Sequence, residues 1–361
     1  MELEIAKIIS NGYGIGWADG KTNFVPFVIP GEKVLVRESV MEKGHFLVKS
    51  FEILERSPFR REPVCENFTK CGGCSFLHIE YSRQLQIKKD IFNELLHQNG
   101  LPSINDIEIL TPGEFGIRTR AKVLIRNGLP AYMAYRSNTP VFFKNCPLLH
   151  PELMKGILEN AKELTGEIQF EYSAVTKELM PVQDSMFKTV LGEKLRLLKN
   201  SFFQSSEKGA GILAGLVLEE AGGNVRTAYD LFCGGGLFSY FLAKKGIHVT
   251  GIEVVPDACR SFNENLKESA KLIRIDAYRL KKLDKADLIV ADPPREGLGN
   301  ELIKVICDSG TEKVIYISCE PSKFARDLRI FNGLDYKLSK IKLIDLFSDT
   351  PHFEVFAVLE K

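Results

Sequence analysis

The second half of the chain, from about residue 196, alternates between short apolar stretches and helix-forming stretches. Strands and helices are predicted in turn at Ala228–Phe232, Phe238–Lys245, His248–Ile252, Pro256–Lys267, Leu272–Ile275, Leu288–Ala291, Asn300–Ser309, Val314–Ile317 and Ser322–Phe331. Neighbouring parallel strands need a crossover helix between them. The alternation therefore predicts an α/β fold with a doubly wound, mostly parallel sheet.

The end of the chain breaks this alternation. The predicted strands Lys337–Leu346 and Glu354–Leu359 have no helix between them, so we expect them to form an antiparallel hairpin. A Rossmann-like sheet that ends in such a hairpin is typical of class I methyltransferases and not of dehydrogenases.

The first part of the chain has a different pattern. Turn signals such as Asn11-Gly12 separate short predicted strands at Leu3–Ile8, Phe24–Ile29, Lys33–Arg37 and His45–Glu52. This spacing predicts an OB-like β-barrel, a common platform for nucleic acids. A linker rich in Pro and Arg follows at Ser57–Pro63, and then the predicted helices Ser82–Gln98 and Pro151–Leu164 among strands. We expect three domains: a barrel at 1–56, a central, mostly β domain at 57–195, and a methyltransferase-like domain at 196–361.

Composition excludes several classes of protein. The chain has no apolar run of about 18 residues and no charged-then-apolar leader, which argues against membrane and secreted proteins and for a cytoplasmic one. Its eight cysteines then favour metal binding or catalysis over disulfides. No feature of the sequence indicates an obligate protein partner.

The net charge of +1 gives no overall nucleic-acid signature, but residues 115–145 contain basic residues and no acidic one. The basic residues are Arg118, Arg120, Lys122, Arg126, Arg136 and Lys144, with Tyr132, Tyr135, Phe142 and Phe143 between them. This mixture suits a surface that binds phosphates and stacks bases. A solvated sheet edge with core aromatics explains the same window equally well.

The residues that could bind a ligand or take part in a reaction lie at the ends of three predicted strands. A glycine-rich turn follows the strand at Ala228–Phe232, and Glu253 ends the next strand, where a carboxylate can accept both hydroxyls of a ribose. Asp292 begins Asp-Pro-Pro-Arg after the fourth strand, and the prolines make that turn rigid. Cys319 lies in Ser-Cys-Glu-Pro, where a strand meets a helix, and is a candidate nucleophile. Methylation at nitrogen needs no nucleophile, whereas methylation at C5 of a pyrimidine does.

These motifs together resemble the RNA 5-methyluridine methyltransferases. The resemblance rests on Asp-Leu-Phe-Cys-Gly (230–234), Asp-Pro-Pro-Arg (292–295), Ser-Cys-Glu-Pro-Ser-Lys-Phe-Ala-Arg-Asp-Leu (318–328), Asp-Leu-Phe-Ser-Asp-Thr-Pro-His-Phe-Glu (345–354) and Ser-Phe-Phe-Gln (201–204). It implies that the N-terminal barrel is an RNA-binding TRAM domain and that S-adenosylmethionine is the methyl donor.

The resemblance also implies roles for single residues. Cys319 would attack C6 of a flipped uracil, and Glu354 would remove the C5 proton after methyl transfer. Gln204, Phe232 and Glu253 would bind S-adenosylmethionine, and Asp292 would support both the uracil and the cofactor. Three positions depart from the family pattern: Ser206, Leu237 and Glu320, the last of which adds a negative charge beside Cys319.

A second set of residues consists of Cys65, Cys71, Cys74 and Cys146. Two glycines between Cys71 and Cys74 allow a tight turn around a metal, and the spacing alone also fits a four-cysteine zinc site. The resemblance favours a [4Fe–4S] cluster held by all four, with His78 outside the ligand set.

For the substrate, the combination of TRAM domain and cluster favours 23S ribosomal RNA, with uridine 54 of tRNA as the alternative. A non-catalytic RNA-binding protein and a nitrogen methyltransferase remain as other functional classes.

Overall fold

The computed structural model describes residues 1–181 and 183–361. The N-terminal part is a six-stranded sheet with the strands β1 (Glu2–Glu4), β2 (Lys7–Ile8), β3 (Gly14–Ala18), β4 (Lys21–Val25), β5 (Lys33–Glu42) and β6 (His45–Glu55). Their spatial order is β1-β5-β6-β4-β3-β2. The sheet encloses a small apolar core in which Val25 and Val34 are fully buried. The sequence predicted four strands here. It missed β3, and the first predicted strand is two short strands, β1 and β2.

The middle of the chain is built mainly from antiparallel strands. Its elements are α1 (Tyr81–Gln98), β7 (Glu108–Leu110), β8 (Arg120–Arg126), β9 (Leu129–Met133), β10 (Pro140–Phe142), α2 (Pro151–Asn160), β11 (Gly166–Tyr172), β12 (Leu179–Met180), β13 (Ser185–Val190) and β14 (Glu193–Leu198). Five of the strands form a sheet in the order β10-β9-β8-β11-β12, and β13 and β14 form a separate hairpin. Leu153 and Ile157 of α2 pack with Phe170 to form the core of this sheet.

The rest of the chain is the predicted α/β domain. It comprises α3 (Glu207–Ala221), β15 (Thr227–Leu231), α4 (Leu237–Lys244), β16 (His248–Glu253), α5 (Pro256–Leu266), β17 (Ala270–Arg274), a 3₁₀ turn (Ala277–Arg279), β18 (Leu288–Ala291), α6 (Gly299–Asp308), β19 (Lys313–Ser318), α7 (Pro321–Asn332), β20 (Lys337–Ile344) and β21 (Glu354–Glu360). The sheet order is β17-β16-β15-β18-β19-β21-β20-β7. Strands β15 to β19 are parallel, and β21 is antiparallel between β19 and β20. The predicted α/β fold class and the final hairpin are confirmed.

The large sheet also includes a strand from the range 57–195, which the sequence assigned to the central domain. Strand β7 pairs with β20 and completes the large sheet, although it lies in the middle of the sequence. Helix α1 also packs on that domain, with the ring of Phe92 6.0 Å from the ring of Phe324 in α7. The apolar face of α1 is visible in the sequence, but its partner is not, because the partner lies more than 200 residues away along the chain.

Within the part of the chain that the structure describes, no helix is both long and apolar enough to cross a membrane.

Candidate active site

Cys319 and Glu354 lie at the same end of the large sheet. Strands β19 and β21 are antiparallel, and their last recorded pair is Ser318 with Val355. Cys319 directly follows β19 and Glu354 is the first residue of β21, so both lie next to this pair, and the charge of Glu354 acts on the Cys319 thiol. Asp292 follows β18, the parallel neighbour of β19, so it lies at the same edge. The topology thus gathers the nucleophile and both carboxyl groups predicted from sequence.

The surroundings of Cys319 oppose its ionisation. Burial, followed by the negative charges of Glu354 and Asp292, raises the pKa of Cys319 to about 12, while Arg295 acts in the opposite direction. We expected Glu320 to be the opposing charge. Its carboxylate instead accepts a hydrogen bond from Ser322 Oγ at 2.8 Å. The residues that raise the pKa of the thiol thus come from other strands and not from its sequence neighbour.

Glu354 is only 3% exposed, and burial and Asp292 hold the pKa of its carboxyl group well above the usual range. Its Oε2 atom has no hydrogen-bond partner among the described residues. Burial also raises the pKa of Asp292 to about 7, with a contribution from Asp230. Burial beside a second carboxyl group is the kind of setting that raises the pKa of a carboxylic acid.

The predicted cofactor residues border the same edge. Gln204 donates a hydrogen bond from Nε2 to Asp292 Oδ2 at 3.2 Å. Gln204, Phe232 and Asp292 line one cleft together with Gly234 and Gly235. The backbone of Phe232 has a φ of 62°, in the left-handed region, which turns the chain sharply at the end of β15.

Glu253 shapes the glycine-rich turn from the neighbouring strand. Its Oε2 atom accepts a hydrogen bond from the Gly234 amide at 3.0 Å, and its Oε1 atom accepts bonds from the amides of Val254 and Val255. These three bonds occupy both acceptor positions of Oε1 and one of the two on Oε2, so Oε2 keeps a free lone pair. Glu253 can therefore order the turn and still accept a hydroxyl of a ribose.

Asp230, to which we assigned no role from sequence, lies behind the glycine-rich turn. It is fully buried and accepts hydrogen bonds at Oδ2 from the amide and the hydroxyl of Ser239, at 3.0 and 2.6 Å. These bonds fix the first turn of α4 behind the glycine-rich turn. Burial raises the pKa of Asp230 to about 7. Its place in the quoted Asp-Leu-Phe-Cys-Gly motif was the one available signal.

The four predicted ligand cysteines line one cavity of about 220 Å³. Cys71 Sγ accepts a hydrogen bond from the Gly73 amide at 3.4 Å. The backbone at Gly72 lies so close to Met133 that an added Cβ would be 3.1 Å from its carbonyl oxygen. The absence of a side chain at Gly72 therefore permits the close approach of this turn to β9.

The donor atoms suit a soft metal ion or an iron–sulfur cluster. Amides of Leu148 and Leu149 donate to Cys146, and such N–H groups stabilise thiolates. Burial nevertheless raises the pKa of Cys71, Cys74 and Cys146, so deprotonation needs a compensating cation. Among the described residues, no group of three or more His, Cys, Asp or Glu side chains has the geometry to hold a metal ion. The cluster therefore stays a prediction.

His78 lies outside the cysteine cavity. It is buried beside the rings of Phe27 and Phe68, with ring centroids 6.5 and 5.4 Å away. Burial, followed by the charge of Arg60, lowers the pKa of His78 to about 3. It packs where the N-terminal sheet meets the cysteine segment.

The basic window at 115–145 does not form a single surface. Three of its cations pair with carboxylates: Arg120 with Glu171, Lys122 with Glu167 and Arg136 with Glu42. The rings of Tyr132 and Phe143 stack 4.6 Å apart in the core, whereas Phe142 is exposed. Some of these residues thus form ion pairs and a packed core, as in a solvated sheet edge, whereas an aromatic ring such as that of Phe142 is exposed and could stack on a base.

Comparison with known proteins adds a family to this geometry. Residues 245–361 match the family described as tRNA (Uracil-5-)-methyltransferase, and residues 1–59 match the TRAM domain of tRNA (uracil(54)-C(5))-methyltransferase. The chain is 29% identical to an uncharacterized RNA methyltransferase of Caldanaerobacter subterraneus, over 99% of this chain and 98% of that protein. It is 27% identical to one of Aquifex aeolicus, over 100% of this chain and 98% of that protein.

The fold is shared with a solved structure, Pyrococcus abyssi tRNA (uracil-54, C5)-methyltransferase in complex with S-adenosyl-L-homocysteine. The TM-score is 0.80 at 22% identity, over 99% of this chain and 100% of that one. Fold and family matches together define the class of protein: an enzyme, an S-adenosylmethionine-dependent RNA methyltransferase. Within that class, residues 245–361 are similar to the tRNA (Uracil-5-)-methyltransferase family and residues 1–59 to the TRAM domain of tRNA (uracil(54)-C(5))-methyltransferase.

Proposed function

We propose that this enzyme methylates C5 of a uracil in structured RNA through a covalent bond between Cys319 and C6. The observation that carries the proposal is the placement of Cys319 and Glu354 at the same end of two paired strands, with Asp292 at the same edge. A nucleophile and a buried carboxyl group on neighbouring strands can act on two adjacent carbon atoms of one ring.

Each residue has one task in this reaction. The thiolate of Cys319 forms a bond to C6, and the electrons of the C5–C6 double bond move to C5, which becomes nucleophilic. Asp292, with a pKa raised to about 7, is suited to exchange the thiol proton near neutral pH. Bound S-adenosylmethionine supplies the methyl group. The Glu354 carboxylate then removes the C5 proton, the C5–C6 double bond forms again, and the bond from Cys319 to C6 breaks.

The cofactor would lie over the glycine-rich turn. Glu253 accepts hydrogen bonds on the β16 side, Phe232 offers a ring beside the turn, and Gln204 contacts Asp292. Asp292 thereby joins the cofactor side to the uracil side, as a residue that serves both substrates should.

The covalent step is tested with RNA that contains 5-fluorouridine, because fluorine at C5 cannot be removed as a proton. The wild-type enzyme should form an adduct with this RNA that survives denaturing electrophoresis, and Cys319→Ala should form none. The buried Cys307→Ala serves as the matched control and should behave as the wild type. A Cys319→Ala variant that still methylates uridine would contradict the mechanism, and nitrogen transfer would give no adduct at all.

For the RNA substrate we propose either uridine 54 of tRNA or a uridine of 23S ribosomal RNA. The sequence favoured ribosomal RNA, but the match of residues 1–59 to the TRAM domain of tRNA uridine-54 enzymes favours tRNA. Mapping 5-methyluridine in total RNA with and without this protein distinguishes the two. If the protein acts on tRNA, position 54 of tRNA should be unmodified in the RNA from cells that lack the protein.

We also propose that Cys65, Cys71, Cys74 and Cys146 hold a [4Fe–4S] cluster. Their shared cavity and the amide donors to two of the sulfur atoms support this proposal. Anaerobically purified protein should contain about four iron atoms per chain, as expected for such a cluster. Cys74→Ser should lose iron, whereas Cys259→Ser, outside the cavity, should keep it. Stoichiometric zinc in place of iron would contradict the cluster.

A further inference from the structure

Glu354 is preceded by a loop that the methyltransferase strands do not hold by themselves. Residues 345–353 connect β20 to β21, and Glu354 is the first residue of β21. Asp349 in the middle of this loop is fully buried and has a φ of 60°. A non-glycine residue keeps such a backbone conformation only where its surroundings fix it strongly. The groups that fix it identify the element that controls the loop.

The first of these groups belong to the cysteine segment. The amides of Ser75 and Phe76, directly after Cys74, both donate to the Asp349 carbonyl oxygen, at 3.0 and 2.9 Å. The N-terminal sheet meets the same point, since a Cβ added at Gly12 would lie 3.1 Å from Ser75 Oγ and 3.4 Å from Pro351 Cγ. Three distant parts of the chain therefore converge on the loop.

Arg61 of the linker also donates to Asp349 Oδ1, at 3.0 Å. Helix α1 supplies further contacts from one face. Gln84 donates from Nε2 to Asp349 Oδ1 at 2.9 Å and accepts from the Asp349 amide at 3.0 Å. Its Nε2 also donates to the Phe76 carbonyl at 3.3 Å, so one side chain joins the cysteine segment to the loop. Tyr81 and Lys88 bind Asp345 at the start of the loop, at 2.9 and 2.6 Å.

The same face reaches the residue next to Glu354. The ring of Phe92 packs edge-on against Phe353, with centroids 6.1 Å apart. Tyr81, Gln84, Lys88 and Phe92 follow one another at intervals of three or four residues, so they lie on one side of the helix. That side contacts the beginning, the middle and the end of the loop.

We propose that α1 and the cysteine segment position Glu354 for proton removal, with Gln84 as the positioning residue that connects them. The inference rests on the proposed function, since it assigns the loop to the step that Glu354 performs. It predicts that a weakened loop slows proton removal while Cys319 still adds to C6. Whatever the four cysteines bind would then act on catalysis through Ser75, Phe76 and Asp349.

The test compares two rates in the full-length enzyme as purified. Adduct formation with 5-fluorouridine tRNA transcript reports the steps up to methyl transfer, and methylation of the uridine transcript reports the whole cycle. If tRNA is not methylated by the wild type, the 23S ribosomal RNA transcript takes its place. Gln84→Leu should keep adduct formation within a few-fold of wild type. Its methylation should fall at least about tenfold, since it loses several buried hydrogen bonds, and a methylated adduct should accumulate on the uridine RNA.

Asn93→Leu is the matched control. Asn93 lies on the same helix and forms the same kind of reciprocal bonds, but with Ile104, away from the loop. This variant should change both rates by the same factor or neither. Phe92→Leu is a milder variant for use if Gln84→Leu folds poorly. It should also lose more methylation than adduct formation, but by a smaller factor.

Equal losses of both rates in Gln84→Leu and in Phe92→Leu, or no loss in either, would overturn the positioning role alone. A wild-type enzyme that forms no adduct with either 5-fluorouridine RNA would overturn the proposed function, and this inference with it.

Discussion

At the scale of single residues, the free site is arranged to stay uncharged. Burial raises the pKa of Cys319 to about 12, and it raises the pKa of Asp292 to about 7 and that of Glu354 well above its usual range. Arg295 is the cation that opposes these shifts at both Cys319 and Glu354. A thiol with a raised pKa is mostly protonated near neutral pH, and a protonated thiol reacts more slowly with electrophiles than a thiolate does.

The first prediction concerns the reactivity of Cys319. Below its pKa, the thiolate fraction grows about tenfold per pH unit, so alkylation by iodoacetamide at Cys319 should rise about tenfold per unit from pH 7 to 9. Arg295→Gln should lower the rate at each pH, since Arg295 lowers the pKa of the thiol. Peptide mass spectrometry separates Cys319 from the other cysteines. A plateau near pH 8 would reveal a thiol that ionises far more easily than the geometry implies.

The second prediction concerns Glu253. Glu253→Ala removes the acceptor for the Gly234 amide and for the proposed ribose contact, and hydrogen bonds to charged groups are worth about 1.5–3 kcal/mol each. Binding of S-adenosylhomocysteine should weaken at least about tenfold, measured by calorimetry. Glu268→Ala, at an exposed position of the same domain, should bind as the wild type. Unchanged affinity in Glu253→Ala would remove this residue from the cofactor site.

At the scale of elements, helix α1 comes from the middle of the chain but packs against the C-terminal α/β domain. Lys88 in this helix is fully buried and donates to Asp345 and to the Phe347 carbonyl. An amphipathic helix rarely buries a lysine without such partners. The ion pair therefore fixes the helix to the loop that precedes Glu354, beside the contacts of Gln84.

The third prediction follows from this pair. Lys88→Met leaves the Asp345 carboxylate buried without its cation, which typically costs about 3–5 kcal/mol of stability. Urea unfolding should show this loss as a lower midpoint. Lys89→Met, the next residue on the same helix and only half-buried, should change the free energy of unfolding by less than about 0.5 kcal/mol. Equal effects of the two substitutions would show that the ion pair between Lys88 and Asp345 does not contribute to the free energy of unfolding.

At the scale of the whole molecule, the N-terminal sheet is not a separable module. Ile8 and Ile29 belong to the same buried core as Phe76, Ile79 and helix α1. Arg60 in the linker also pairs with the buried Glu32 at 2.6 Å. The N-terminal sheet, the cysteine segment and the loop before Glu354 thus share packing, and we expect them to unfold together.

The fourth prediction tests this cooperativity. Deletion of residues 1–56 removes Ile8 and Ile29 from the core, each worth about 1.5–3 kcal/mol of burial, and exposes the surface beneath them. The melting temperature of the shortened protein should fall by several degrees in calorimetry, apart from any loss of RNA affinity. Trp17→Ala, at a side chain that is 57% exposed, should leave it unchanged. An unchanged melting temperature after the deletion would mean that the sheet folds independently.

The sequence by itself was enough to predict the local secondary structure and the candidate site residues. Hydrophobic periodicity gave the alternating strands and helices, because that pattern depends on neighbours a few residues apart. The motifs gave Cys319, Glu354 and Asp292, and the glycines after Cys71 gave the tight turn. What the sequence misjudged was the origin of the charge near Cys319, which it assigned to Glu320.

Only the tertiary structure decided which distant groups meet. Gln84 and Lys88 are polar residues that look solvent-exposed in a helical pattern, yet both are buried against a loop about 260 residues later. Strand β7 completes a sheet whose other strands begin more than 100 residues further on. Burial and strand pairing between remote segments depend on the packing of the whole chain, and no local pattern of residues encodes them.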